Sequence, residues 1–320
     1  MSQHSLHKAF DTSQIDLNHS ARRYPTSLQF PDPAYLIVSL VHQRRGAPAE
    51  LGIIQLKEVP QEGSLDELLC IAFELPQLRS PCSYGFIRGF ADQCPAPCDI
   101  QCSDDSGLFH HTETSRILAF SLTLYTNRCG MVTWELLTTS QMFRHYYKLY
   151  CLDADEHNVE FNCDIRVEGH KWIVPWRAWQ KNTRLFPADS SEHGIPIPIE
   201  LSHNRVLATE RVLEEATTHE EPHDALWQPT HRIVLLNFAP ALALRRDMHV
   251  FLAKEGEAKD VDVDYQYHFG PEHVSDHRFW SEPIVTGLPY CKITTNRWPL
   301  YYGITPRLAL CNDGLALLDQ

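Results

Sequence analysis

Three short patterns in the chain place metal-ligating residue types at close spacing. His219-Glu220-Glu221-Pro222-His223 matches the H-E-x-x-H pattern of zinc hydrolases, in which one helical turn brings both imidazoles to one metal and the glutamate acts as base. Here Pro222 lies inside that turn, where it removes a backbone donor and clashes with a preceding carbonyl. A zinc-dependent hydrolase using His219, Glu220 and His223 is therefore the alternative function, not the favoured one.

A second pattern combines thiols with imidazoles. Cys94, Cys98 and Cys102 recur at four-residue intervals, and His110 and His111 follow shortly after. Thiolates and imidazoles at short range can build a tetrahedral zinc site. The spacing differs from the usual two-residue knuckle and prolines stiffen its first interval, so a loop with free thiols is favoured. Whether Cys94, Cys98 and Cys102 bind metal stays open at the level of sequence.

A third pattern resembles the start of a calcium-binding loop. Asp260, Asp262 and Asp264 alternate with apolar residues, but the glycine and glutamate that such a loop requires fall on Tyr265 and Pro271. Strand alternation explains the aspartates. The sequence also contains no nucleophile elbow, phosphate-binding glycine loop or dinucleotide fingerprint. We therefore predict no catalytic residue, no metal site and no cofactor.

The charge balance excludes two classes of partner. Among 320 residues, 41 acidic side chains outnumber 28 basic ones, which gives a net charge of -13. Nucleic acid and anionic lipid are polyanions, so neither is an expected partner. No apolar run approaches the length of a membrane-spanning helix, and the start of the chain lacks the order of a signal peptide. The 10 cysteines follow no compact framework, which favours reduced thiols in the cytoplasm or nucleus.

The elements that must position these residues are mostly short strands. Apolar runs and period-two alternation predict strands over 35–41, 51–56, 71–75, 117–125, 131–136, 160–167, 232–238 and 261–269. Helical patterns cover Ser140–Tyr150 and Arg205–Thr217. We expect residues 1–30 to be a flexible lead-in and residues 31–320 to form a single large β-rich domain, with a polar excursion at about 187–229.

The frequent turns between these strands indicate the fold class. The 21 prolines and 14 glycines suit turns and edge strands more than long helices. We therefore predict an all-β fold with one or two short helices. A β-propeller-like arrangement is the first choice and a β-sandwich the second.

One aromatic block is the most distinctive feature of the chain. Pro175-Trp176-Arg177-Ala178-Trp179 is followed by Asn-Thr-Arg-x-Phe, which contains Thr183, Arg184 and Phe186. Two interpretations are open. The indoles pack as a structural corner whose entry angle Pro175 sets, or they form a recognition surface on which an arginine stacks. Because buried aromatic residues are commoner than exposed anchors, the corner is favoured.

This block resembles a segment shared by F-box proteins from basidiomycete fungi, Pro-Trp-x-x-Trp-Gly-Pro-x-x-Thr-Arg-x-Phe. Further resemblances follow in the expected order: an apolar strand over 231–240, and an acidic segment over 280–290 that closes in Leu288-Pro289-Tyr290. Upstream, 116–125 with 131–136 is similar to the paired strands that precede a short helix in that family. The ordered set covers roughly residues 35–320.

The resemblance implies a non-enzymatic protein-interaction module, similar to the substrate-recognition region of an F-box protein, with a protein partner. The chain departs from the pattern in three places. Gln180-Lys181 stand where Gly-Pro is expected, Gly287 replaces a serine, and the first 35 residues contain no Leu-Pro-x-Glu helix. Binding to the Skp1–cullin ligase scaffold is therefore not expected. A degenerate family member without retained activity is a further possibility.

Overall fold

A computed structural model of the chain describes residues 23–42, 48–56, 65–90, 116–126, 130–156, 164–188, 200–202, 204–212, 230–238, 263–295, 307–311 and 314–318. In chain order the elements are β1 (Arg23–Asp32), β2 (Tyr35–His42), β3 (Glu50–Gln55), α1 (Leu65–Leu68), β4 (Leu69–Glu74), β5 (Ser83–Phe90), β6 (Ile117–Thr126), β7 (Gly130–Thr139), α2 (Ser140–Glu156), β8 (Arg166–Glu168), β9 (Lys171–Val174), α3 (Trp176–Trp179), a 3-10 turn (Gln180–Asn182), β10 (Thr183–Pro187), β11 (Glu200–Ser202), β12 (Arg205–Val212), β13 (Thr230–Asn237), β14 (Val263–His268), β15 (Glu272–Val274), β16 (Ile284–Thr286), β17 (Tyr290–Thr295), β18 (Arg307–Cys311) and β19 (Gly314–Leu318).

These strands form three larger sheets and two hairpins. The first sheet has the order β1-β2-β3-β4-β9-β8, in which only β4 and β9 run parallel. The second sheet has the order β10-β7-β6-β5 and is antiparallel throughout. The third has the order β11-β12-β13-β17-β14, and β15–β16 and β18–β19 are separate hairpins. The predicted all-β class is therefore confirmed.

The main core lies between the first two sheets and α2. Strand β2 reads as an almost continuous apolar run, and its residues are buried on both faces, as expected of a strand covered on two sides. Ile37, Phe73, Phe120, Leu136 and Phe143 belong to this core and come from β2, β4, β6, β7 and α2 respectively. Both sheets thus contribute alternate residues of their strands to one apolar layer.

Helix α2 begins directly after β7 and packs against this layer. Phe143 and Tyr147, four residues apart, are buried on one side of the helix, as the helical period requires. Beside this buried side of the helix, Arg144 forms an ion pair with Asp32 of β1 at 2.8 Å. The predicted helix over Ser140–Tyr150 is confirmed and extends to Glu156.

The first and second sheets are joined at their edges by side chains of β1. The hydroxyl of Thr26 donates to the carbonyl of Ile87 at 2.7 Å, and the amide of Gly89 donates to Ser27 Oγ at 2.9 Å. Hydrogen bonds to β5 therefore satisfy polar groups where the two sheets meet. Strand β1 begins at Arg23, inside the segment that the sequence indicated as a flexible lead-in.

Most predicted strands are confirmed, including the alternating strand that the structure places at Val263–His268. The strand predicted over 160–167 overlaps β8 at Arg166 and Val167. Residues 157–163 lie outside the described part of the chain. The predicted helix over Arg205–Thr217 was wrong for Arg205–Val212, which form β12. This strand pairs with β13 along its whole length, and such tertiary pairing overrides a modest helix propensity.

Candidate functional site

The second tryptophan of the aromatic block lies in the main core. Trp179 is fully buried at the end of α3, and its Nε1 donates to the backbone carbonyl of Glu74 at 3.1 Å. Its ring meets that of Phe73 edge-on, with 5.7 Å between centroids, and lies 6.4 Å from the ring of Phe143. Trp179 thus connects β4 to α2, which is the placement that a structural corner requires.

The rest of the block turns the chain around this tryptophan. Pro175 has φ -67° in an extended conformation and precedes the single turn of α3. The half-buried ring of Trp176 stands edge-on to Trp179, with 4.8 Å between centroids. Arg177 is exposed and forms an ion pair with Glu282 at 2.5 Å. Because the indoles contact each other and the core, the arginine side chain is the most exposed part of the block.

Thr183 forms hydrogen bonds to the turn at the end of the aromatic block and to a segment about a hundred residues further along the chain. Its hydroxyl donates to the carbonyl of Gln180 at 2.6 Å and closes the 3-10 turn. Its own carbonyl accepts hydrogen bonds from the amides of Gly287 and Leu288, at 3.1 and 3.0 Å. The Thr-Arg-x-Phe segment therefore binds the segment that ends in Leu-Pro-Tyr through the backbone.

Arg184 strengthens this connection from within the protein. Its guanidinium is fully buried and donates to the carbonyls of Leu288 and Gly270, at 2.5 and 2.8 Å. Nη1 lies 3.1 Å from Glu272 Oε2 as a charge contact without hydrogen-bond alignment. Burial lowers the pKa of Arg184, and the charge of Glu272 opposes that shift. The buried cation is thus held by backbone oxygens and by one carboxylate.

Tyr290 completes the cluster around this arginine. The Arg184 guanidinium lies over the Tyr290 ring, 5.2 Å from its centroid, and the ring of His268 stacks parallel to it at 4.4 Å. His268 Nδ1 lies 2.9 Å from Glu272 Oε1. Burial raises the pKa of Tyr290, and the neighbouring Glu272 raises it further. The hydroxyl of Tyr290 therefore stays protonated at neutral pH.

The three sequence segments that carry the family resemblance meet in a second apolar core. Phe186 and Phe238 both contact Tyr290, with 5.6 Å between ring centroids in each pair. Leu288 belongs to the same core. Pro289, between Leu288 and Tyr290, is exposed. The structure thus brings together most of the motif residues that the sequence singled out, over separations of about a hundred residues.

The contacts of this cluster hold segments of the fold in place. Arg184 already binds two carbonyls and a carboxylate, so it has little capacity left for an anionic ligand. His268 has its Nε2 enclosed, without a hydrogen-bond partner in the described part of the chain. A base enclosed in this way lacks the access that a reacting group requires. The cluster holds the β15–β16 region against β10.

A different surface of the second sheet exposes a contiguous group of apolar side chains. Phe86, Tyr125 and Met131 are 41%, 47% and 59% exposed. Tyr125 is paired with Met131, and Phe86 with Thr123, two positions from Tyr125 on β6. Side chains at paired and alternate positions share one face of a sheet. These three residues therefore form one surface, which we call the outer patch.

A bulge in β5 shapes the outer patch. The register between β5 and β6 shifts at Gly85, and the Tyr125 ring lies where a Cβ on Gly85 would stand, 2.2 Å from that position. The hydroxyl of Tyr24 donates to the Gly85 carbonyl at 2.9 Å on the same edge. A glycine is needed here because any side chain would displace the tyrosine ring.

One buried carboxyl lies on the same face of the second sheet, closer to the second core. Glu135 is 1% exposed, and its Oε1 accepts a hydrogen bond from the Ser121 hydroxyl at 2.5 Å. Its Oε2 has no partner in the described part of the chain. Burial raises the pKa of Glu135 to about 7, although the bond from Ser121 lowers it in part. The carboxyl is consequently half neutral near physiological pH.

The predicted metal-binding patterns receive no structural test. His219, Glu220 and His223, as well as Cys94, Cys98 and Cys102 with the two histidines that follow, lie outside the described residues. Among the residues that the structure describes, no group of three or more His, Cys, Asp or Glu side chains could hold a metal ion. In the same residues, no helix has the length and apolar character needed to cross a membrane.

Comparison with known proteins identifies no relative. No protein-family model, no curated protein and no solved structure matches the chain. The resemblance to fungal F-box proteins therefore stays a prediction based on the ordered motifs.

Sequence reasoning missed the outer patch. The strand over 117–125 was predicted, and its alternation already placed Tyr125 opposite the core-facing Leu124. This alternation was the sequence pattern from which the exposure of Tyr125 could have been predicted. The strand that contains Phe86 was not predicted, and a bulge shifts its register, so the neighbours of Tyr125 on this face could not be derived.

Proposed function

We propose that the chain is a non-enzymatic protein-interaction module whose partner binds at the outer patch. The observation that carries this proposal is the adjacency of Phe86, Tyr125 and Met131 on three paired strands. Aromatic residues and methionine are enriched at interfaces. A contiguous exposed group of them is a recognised mark of such a site.

The contrast with other exposed apolar residues supports this choice. Tyr24, Leu28 and Phe30 are 36%, 39% and 53% exposed, but all three lie along one edge strand, β1. Leu152 on α2 and Val167 on β8 are 52% and 55% exposed and lie on separate elements. Single exposed apolar residues are common on any protein surface. The outer patch differs because its three members lie on three neighbouring strands that are paired with one another.

The aromatic block plays a different part in the proposal. Its tryptophans and Arg184 are occupied by contacts within the protein, so we assign them to the scaffold. A scaffold that is kept while the recognition surface varies is compatible with the resemblance to the substrate-recognition region of F-box proteins. The proposal includes no coupling to a ligase, and a cytoplasmic or nuclear location goes with it.

The finer architecture also belongs to the proposal. A propeller-like arrangement was the first expectation and a sandwich the second. Two sheets of six and four strands that face one core support the sandwich, because propellers are built from repeated four-stranded blades.

Affinity capture with matched variants tests the proposed function. The double variant Tyr125→Ser/Met131→Ser removes the apolar surface, whereas Leu152→Ser/Val167→Ser removes two apolar side chains of similar exposed fraction elsewhere. We expect wild type and the control to retain the same protein from a cell extract and the patch variant to lose it. Equal retention by both variants, at equal thermal stability, would contradict the proposal.

A further inference from the structure

We infer that the partner segment bound at the outer patch is acidic, with a carboxylate that pairs with Arg88 between apolar side chains. This inference rests on the proposed function and adds the chemistry of the ligand. Arg88 lies on β5 two residues beyond Phe86, and it pairs with Ser121, two positions from Thr123 on β6. It therefore extends from the same face of the second sheet as the outer patch.

The side chain of Arg88 is exposed and presents its charge beside aromatic surface. Its guanidinium carbon lies 4.9 Å from the centroid of the Phe90 ring. Phe86, Arg88 and Phe90 thus form a stripe along β5 in which a cation lies between two aromatic residues. Stacking on a ring orders the guanidinium, so less freedom is lost when it binds a carboxylate.

Arg88 also differs from six other arginines in the described part of the chain. Arg23, Arg144, Arg166, Arg177, Arg184 and Arg278 each form an ion pair with an acidic side chain. In the described residues Arg88 has no such partner, although the chain carries a surplus of acidic groups. A planar guanidinium is suited to bidentate binding of a carboxylate. A positive charge that has no acidic partner among the described residues, and that lies beside the outer patch, is complementary to an acidic segment.

The net charge of -13 does not oppose this pairing at short range. At physiological ionic strength, charges on the surface are screened beyond about 8 Å. A carboxylate bound at Arg88 therefore responds to the guanidinium and hardly to distant acidic residues. The net charge is expected to slow the encounter of an acidic partner, which makes the association rate rise with salt.

Two synthetic peptide pools test the inference on the full chain. Both contain the same mixtures of Phe, Leu and Ile at alternate positions. The first has Asp or Glu between them and the second has Asn or Gln. We expect fluorescence anisotropy to show about tenfold tighter binding of the acidic pool to wild type. Arg88→Gln should abolish that preference, and Arg88→Lys should retain part of it.

The outcomes separate this inference from the proposed function. Equal binding of both pools to wild type, or an acidic preference that survives Arg88→Gln, overturns the inference. If Tyr125→Ser/Met131→Ser still weakens both pools in that case, binding at the outer patch is retained without the acidic specificity. If that variant binds both pools as wild type does, the proposed function fails too. Absence of saturable binding overturns the inference alone, because affinity capture tests the proposed function.

Discussion

Trp179 draws its neighbours from two elements that are distant in sequence, Phe73 of β4 and Phe143 of α2. A ring that fills the space between a strand and a helix cannot be removed without a cavity. Truncation of a large buried aromatic residue typically costs about 3–5 kcal/mol. We therefore expect Trp179→Ala to lower the free energy of unfolding by that amount, or to give aggregated protein.

Chemical denaturation of purified variants measures this cost. Arg177→Ala is the matched control, because Arg177 lies in the same turn but is exposed. We expect the denaturation midpoint of the control to equal that of wild type. A soluble Trp179→Ala variant with an unchanged midpoint would contradict the structural role that we assign to the aromatic block.

Arg184 is a buried charge, and its removal should also lower the free energy of unfolding. Its replacement by methionine keeps most of the side-chain volume but leaves the Leu288 and Gly270 carbonyls without their donor and Glu272 without the nearby cation. We expect a loss of about 3 kcal/mol in unfolding free energy. Arg184→Lys should rescue little, since one ammonium cannot reproduce the planar fork of donors. Stability of both variants within about 0.5 kcal/mol of wild type would contradict this.

Glu135 links the stability of the protein to pH. Its pKa is raised from the ordinary value of 4.5 to about 7 in the folded state, so folding favours the neutral carboxyl. The stabilisation is fully present below pH 4.5 and is lost as pH rises to about 7. One pKa unit corresponds to about 1.36 kcal/mol, so we expect a loss of about 3 kcal/mol across this interval.

Glu135→Gln isolates this contribution, because the amide cannot ionise. We expect the unfolding free energy of wild type, relative to that of the variant, to decrease between pH 4.5 and about 7 and then to stay constant. Urea denaturation at a series of pH values measures the difference. A constant difference over the whole range would show that Glu135 does not bind a proton on folding.

At the scale of elements, Gly287 lies against the turn that follows the aromatic block. A Cβ on Gly287 would lie 2.9 Å from the backbone oxygen of Lys181. The glycine thus permits the close approach between its own segment and the turn that contains Lys181.

Gly287→Ala should therefore be destabilising. We expect a loss of about 1–3 kcal/mol, because a backbone atom must move to admit the methyl group. Gly270→Ala is the control, since no atom lies within 4 Å of a Cβ at that position and the backbone needs no left-handed conformation. Differential scanning calorimetry should show a lowered midpoint for Gly287→Ala alone. Equal midpoints would refute the close approach.

Local sequence patterns were enough to predict the strands whose burial shows within a few consecutive residues. The apolar run of β2 and the alternation of β14 predicted strands because burial on two faces or on one face is visible within a few residues. Strand β12 was mistaken for a helix because its stability comes from pairing with β13. That pairing lies outside any local window.

The candidate site was predictable to a similar extent. The sequence indicated Trp179 and Arg184 as residues of one block, but not their partners. Arg184 meets Leu288 and Gly270, which are 104 and 86 residues further along the chain. The outer patch depends on register between three strands and on a bulge at Gly85, and single-sequence patterns do not fix register.

At the scale of the whole molecule, scaffold and recognition occupy different places. The second core joins the three motif segments around Tyr290 and covers one end of a face of the second sheet, whereas the outer patch lies toward the other end of that face, where Tyr125 and Met131 are exposed. Substitutions in the first place should change stability, and those in the second should change binding.

Hydroxyl-radical footprinting of the free chain and of the chain bound to its captured partner tests this separation most directly. Methionine and aromatic side chains react readily where solvent reaches them, so Met131, Tyr125 and Phe86 report on the outer patch. We expect these residues to lose labelling on binding while Leu152 keeps it. Unchanged labelling of Met131 and Tyr125, with protection of Trp176 instead, would contradict it.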